Sequence, residues 1–60
     1  MIKQIIIAKY LSKYIAAPTI ANAKTLRYRI SNFPGDRAKL NTEEQVILDE
    51  ALEMLKEKGE

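Results

Sequence analysis

The sequence predicts a small all-α domain of three main helices, and three observations lead to this prediction. The chain has 60 residues, which is enough for one small domain. Apolar side chains recur at helical spacing in three segments. Pro18 and Pro34 lie between these segments, where a proline ends a helix or begins a turn. The predicted helices span 3–16, 22–32 and 42–58.

The first helix, 3–16, is predicted from its apolar stripe. That stripe consists of Ile7, Leu11, Tyr14 and Ile15. The beginning of the helix is ambiguous, because the three successive isoleucines within 2–7 also suit a short β-strand. Neither the odd nor the even positions of that stretch separate polar from apolar residues, which favours a helix. A further helix of one turn at 18–21, beginning at Pro18, is left open.

The second helix, 22–32, has a narrow apolar seam and a polar opposite face. The seam consists of Ala23, Leu26, Ile30 and Phe33. Asn22 is a suitable N-cap residue. Phe33 precedes a proline and is therefore pushed towards extended backbone, which ends the helix near Asn32. Pro34 and Gly35 then suit the two central positions of a type II turn.

The third helix, 42–58, has the strongest pattern in the chain. Its apolar side chains fall within one arc, and its acidic side chains lie opposite. Either Asn41 or Thr42 can cap it, since both have the capping-box partner three residues later. Gly59 is expected to end the helix. Val46 is an apolar residue on the acidic side of this helix.

The composition disfavours catalysis and metal binding. The chain has no Cys and no His, so it lacks the usual zinc ligands, any thiol nucleophile and the most frequent general base. Its acidic residues lack the Asp/Asn and Gly pattern of a calcium loop. The sequence therefore predicts a protein that is not an enzyme and that binds no metal and no cofactor.

Charge is distributed unevenly along the chain. Residues 1–40 hold eight Lys and Arg against one acid, Asp36, whereas residues 41–60 hold seven acids against two Lys. The basic part favours an anionic partner. The alternative is that the two parts neutralise each other within one fold.

The beginning of the chain superficially suggests a secretory signal, but its apolar runs are short. The longest uninterrupted one covers residues 5–8, which is shorter than the core of a signal peptide and far shorter than a membrane span. We therefore expect no membrane association and a cytoplasmic location.

The second helix also carries the sequence T-L-R-Y-R-I at residues 25–30. This run resembles the recognition helix of bacterial helix-turn-helix regulators of the Fis-like type. The resemblance implies a helix-turn-helix-like bundle in which helix 22–32 enters the major groove of DNA, with Leu26 and Ile30 as buried anchors. The candidate DNA-binding residues are Lys24, Thr25, Arg27, Tyr28, Arg29 and Asn32.

These observations predict a small DNA-binding regulator or accessory protein of phage, plasmid or mobile-element type. Because one short recognition helix provides little affinity, we expect a homodimer on duplex DNA. Ile2, Ile5 and Val46 are the candidates for the dimer contact. The alternative is a protein-interaction module, an inhibitor or adaptor, that uses its basic face or its acidic C-terminal helix.

Overall fold

The computed structural model describes residues 6–60 and confirms the all-α fold. Within this part of the chain all regular structure is helical, with three α-helices and one 3₁₀ helix. The elements are α1 (Ile6–Ala16), α2 (Ile20–Asn32), the 3₁₀ helix (Pro34–Lys39) and α3 (Thr42–Glu57).

The apolar stripe of α1 is only partly confirmed. Ile7 and Leu11 are buried, and Tyr14 is partly buried against the core. Ile15 was predicted to belong to the stripe, but its side chain is 55% exposed. By its position on the helical wheel it lies at the border of the buried side. The predicted helix start at residue 3 falls outside the described residues. Of the stretch 2–7, for which the sequence favours a helix over a strand, residues 6 and 7 are helical and residues 2–5 fall outside the described residues.

A three-residue turn, 17–19, joins α1 to α2. The predicted start of α2 at Asn22 is wrong, because Thr19 is the N-cap residue and its hydroxyl accepts the backbone N–H of Asn22 at 3.2 Å. The side chain of Asn22 instead donates hydrogen bonds to the carbonyls of Ala17 (2.8 Å) and Lys13 (3.3 Å). Asn22 therefore ties the first turn of α2 to the end of α1. The separate one-turn helix at 18–21 does not form, because Ile20 and Ala21 belong to α2.

Helix α2 occupies the centre of the molecule. It packs against α1, α3 and the 3₁₀ helix, whereas α1 and α3 contact each other only slightly. Ala23 and Leu26 are fully buried, and Ile30 is partly buried against them. Phe33, which was predicted to complete the apolar seam, is 51% exposed. The seam therefore ends at Ile30.

The segment after α2 is a 3₁₀ helix and not the predicted type II turn. A type II turn needs a positive φ at its third residue, which here is Gly35. Among residues 6–60 only Gly59 has a positive φ. Pro34 instead takes the first position of the 3₁₀ helix, where its fixed φ is favourable and its missing N–H costs no hydrogen bond.

Helix α3 closes the core and matches its prediction closely. Of the two candidate caps, Asn41 is the one used: its side chain accepts the N–H of Glu44, and the Glu44 carboxylate accepts the N–H of Asn41. The core residues of α3 are Leu48, Ala51 and Leu55. Gly59, with φ 71°, ends the helix as predicted. None of the helices in the described part of the chain has the length and apolar character needed to cross a membrane.

Candidate nucleic-acid interface

Helix α2 has one exposed side, and we call it the α2 outer face. It consists of the exposed residues Ala21, Lys24, Thr25, Tyr28, Ser31 and Asn32. These residues follow the helical repeat on the side opposite Leu26, so burying the seam necessarily exposes them. Tyr28 is the most prominent, with 74% of its surface exposed. An exposed helix face of this composition offers both hydrogen-bond donors and acceptors to a partner.

Two members of the α2 outer face make hydrogen bonds to their own helix. The hydroxyl of Thr25 donates to the carbonyl of Ala21 at 3.1 Å, and the side-chain amide of Asn32 donates to the carbonyl of Tyr28 at 2.8 Å. Each bond uses one donor. The Thr25 oxygen can still accept, and Asn32 retains its carbonyl oxygen and a second N–H for a ligand.

Lys24, at the edge of this face, and Arg27 beside it form a basic flank. The Nζ of Lys24 lies 2.9 Å from an Oε1 of Glu60, and both side chains remain substantially exposed. Arg27 is partly buried, and among residues 6–60 it has no acidic partner within ion-pair distance. Exposed ion pairs contribute little stability and exchange readily with other charges. The flank can therefore present two positive charges to an anion.

Arg29, by contrast, has its guanidinium committed to the fold. Its Nε donates to Oδ2 of Asp36 at 2.7 Å, and its guanidinium lies 3.8 Å from the centre of the Phe33 ring. Only 20% of the Arg29 side chain is exposed. The sequence suggests Arg29 as a surface residue flanking the DNA contact, whereas this geometry makes it a link between α2 and the 3₁₀ helix.

Asp36 is the partner that sequence reasoning missed. It is the one buried polar or charged residue among residues 6–60. Its Oδ1 also forms an ion pair with the Nζ of Lys39 at 3.1 Å. The hydrogen bond from Arg29 lowers the pKa of this carboxyl most, burial opposes that shift, and Lys39 adds to the lowering. The signal available in the sequence was that Asp36 is the single acid among the first 40 residues.

Two ion pairs join the basic part of the chain to its acidic part. Arg37 makes a bidentate pair with Asp49 on α3, at 2.7 and 2.6 Å, and this hydrogen bonding lowers the pKa of Asp49. Lys24 and Glu60 form the second pair. The sequence offered mutual neutralisation of the two parts as the alternative to an anionic partner, and these two pairs neutralise part of the charge. The cations of 6–40 that make no ion pair within the described chain are Lys9, Lys13 and Arg27.

The outward side of α3 is acidic with one apolar residue in it. It consists of Val46, Asp49, Glu50, Glu53 and Glu57, and we call it the α3 outer face. Val46 is 50% exposed, as its position in the sequence predicts. Ile2 and Ile5, the other residues predicted for a dimer contact, lie outside the described residues. Over 6–60 the acidic side chains form no cluster of three or more that could hold a metal ion.

Comparison of the chain with protein-family models, with curated proteins and with solved structures finds no match. The resemblance of residues 25–30 to Fis-like regulators therefore stays a prediction from the sequence.

Proposed function

We propose that this protein binds duplex DNA through the α2 outer face and its basic flank, as a small regulator or accessory protein of phage, plasmid or mobile-element type. The observation that carries the proposal is a helix whose inner side is buried and whose outer side is polar or aromatic apart from the small side chain of Ala21. An α-helix of this kind fits the major groove, which is about 12 Å wide. The tight turn between α1 and α2 agrees with a helix-turn-helix arrangement.

The residues divide into two groups by their chemistry. Lys24 and Arg27 carry the charge that neutralises phosphates, which determines affinity and its dependence on salt. Thr25, Tyr28 and Asn32 carry groups that can accept or donate hydrogen bonds at base edges. Arg29 contributes indirectly, since its ion pair with Asp36 holds α2 against the 3₁₀ helix.

A second candidate function rests on the α3 outer face. Val46 is a half-exposed apolar side chain surrounded by acids, which suits contact with a basic protein partner. In that case the protein is an inhibitor or adaptor, and its basic residues serve mainly to neutralise α3. The dependence of DNA affinity on salt distinguishes the two candidate functions.

The affinity of the protein for a random duplex is expected to fall steeply between 50 and 200 mM salt. A plot of the logarithm of the binding constant against the logarithm of the salt concentration should have a slope of about −3 to −4 for each copy of the chain. This slope counts Arg27 and, once Glu60 is displaced, Lys24 on α2, and it assumes that Lys9 and Lys13 of the preceding helix α1 also contact phosphates. Fluorescence anisotropy with a labelled duplex measures it. An affinity that does not change with salt, or no binding at all, contradicts the proposal and favours the protein-interaction candidate.

Single substitutions on α2 refine this experiment. Arg27→Ala should lower the salt slope by about one for every duplex. Tyr28→Ala should lower the affinity for a duplex selected from a random pool more than the affinity for random DNA. The ratio of the two affinities should therefore become smaller. Lys56→Ala is the control, because it removes one exposed cation from α3 and leaves α2 unchanged. If Arg27→Ala and Lys56→Ala have the same slope, α2 does not provide the phosphate contact.

We further propose that the protein acts as a homodimer whose contact includes Val46. Sedimentation equilibrium should detect a dimer at tens of micromolar chain. Val46→Asp should weaken the dimer at least tenfold, because it replaces an apolar contact by a further negative charge beside the acids of α3. Ile15→Asp is the matched control, since Ile15 is also half-exposed but lies on α1. A stable monomer at high micromolar concentration contradicts this proposal.

A further inference from the structure

Glu60 is held in place by the way α3 ends. The N–H of Gly59 donates to the carbonyl of Lys56 at 3.2 Å, and the N–H of Glu60 donates to the carbonyl of Leu55 at 2.9 Å. With Gly59 at φ 71°, these two bonds form a Schellman motif. The motif turns the backbone back over the last turn of α3, so that the side chain of Glu60 is directed to α2 and not along the helix axis.

The carboxylate of Glu60 meets the basic flank of α2. One oxygen lies 2.9 Å from the Nζ of Lys24. The pKa of the Glu60 carboxyl is lowered by this hydrogen bond first, then by the charge of Lys24, and by the charge of Arg27 to a smaller extent. An anion thus already lies beside the two cations that the proposed function assigns to phosphate binding.

We propose that the Glu60 carboxylate occupies the position of a DNA phosphate beside Lys24 and Arg27, and that DNA must displace it in order to bind. This inference rests on the proposed function. A carboxylate and a phosphate are both oxyanions that accept hydrogen bonds from Lys and Arg. Because the Lys24–Glu60 pair is exposed, a phosphate can replace the carboxylate at little cost. The negative charge of Glu60 nevertheless stays near the flank, where it offsets one positive charge. It therefore lowers the affinity of the flank for DNA.

The test compares Glu60→Gln with Glu53→Gln. Both substitutions remove one negative charge from exposed acids of the same segment, but Glu53 lies on the α3 outer face and has no partner among the ion pairs of residues 6–60. Glu60→Gln should bind a random duplex about two- to fivefold more tightly than Glu53→Gln at 100 mM salt. Its log–log salt slope should be steeper by up to about 0.9, because Lys24 contacts a phosphate in both proteins but the Glu60 charge that offsets it is then absent. Circular dichroism should show equal helix content in the two variants.

A double variant checks that the effect acts through Lys24. In the Lys24→Gln background, Glu60→Gln should give little gain over Glu53→Gln, because the cation that the carboxylate covers is no longer present. Equal affinity and slope for Glu60→Gln and Glu53→Gln in the otherwise unchanged chain overturn the inference and leave the proposed function intact. If none of these proteins binds the duplex, the proposed function and the inference are both wrong.

Discussion

Leu26→Ala is expected to lower the free energy of unfolding by about 3 kcal/mol, because it removes a side chain from the centre of the core. Leu26 is 0% exposed and belongs to α2, the helix that packs against every other element. A domain of 60 residues has a total stability of about 3–9 kcal/mol. The variant should therefore keep about 0–6 kcal/mol, and at the lower end of this range about half of it is unfolded at room temperature. Urea denaturation followed by circular dichroism measures the loss.

Two further alanine variants calibrate this loss. Ile30 is only partly buried against the core, so Ile30→Ala should cost less than Leu26→Ala. Ile15 is 55% exposed, and Ile15→Ala should change stability by less than about 0.5 kcal/mol. The expected order of destabilisation is Leu26, then Ile30, then Ile15. A Leu26→Ala variant as stable as Ile15→Ala would contradict the position of Leu26 in the core.

Helix α3 could be predicted from the sequence because its signals are local. The capping box needs only Asn41 and Glu44, three residues apart, and the Schellman end needs only Gly59. The start of α2 shows the limit of local signals. Thr19 and Asn22 are both good N-cap residues, and the choice between them depends on whether the Asn22 side chain can reach carbonyls at the end of α1.

The charged contacts of the candidate site could not be predicted because they join distant parts of the chain. Lys24 pairs with Glu60, and Arg29 pairs with Asp36 across the break at Pro34. Helical spacing places Arg29 at the edge of the polar face, but it does not show that the 3₁₀ helix brings a carboxylate to that edge. Phe33 was misplaced for the same reason, since the Arg29 guanidinium and not the core covers its ring.

Arg29→Ala is expected to lower the melting temperature by on the order of 10 °C, because it leaves a buried carboxylate without its main partner. Asp36 would keep only the pair with Lys39, an exposed side chain. The link between α2 and the 3₁₀ helix would weaken with it. Arg27→Ala is the matched control: the same residue type on the same helix, partly buried but with no ion pair over residues 6–60. Its melting temperature should stay within a few degrees of that of the unchanged protein.

The melting temperature measured at decreasing pH shows whether Arg29 stabilises the fold through its ion pair with Asp36 or only through packing. Because the pKa of Asp36 is lowered in the folded state, its contribution is fully present above the ordinary value of 3.8 and is lost as the pH falls through the lower, folded-state value. The unchanged protein should therefore lose stability below about pH 4. At neutral pH the Asp36→Asn and Arg29→Ala variants should melt at a lower temperature than the unchanged protein. Acidification should then lower their melting temperatures by less than it lowers that of the unchanged protein. The part that remains comes from Asp49 and Glu60, whose pKa values are also lowered. If Arg29→Ala melts like Arg27→Ala, and acid affects both equally, the Arg29–Asp36 pair does not anchor the 3₁₀ helix.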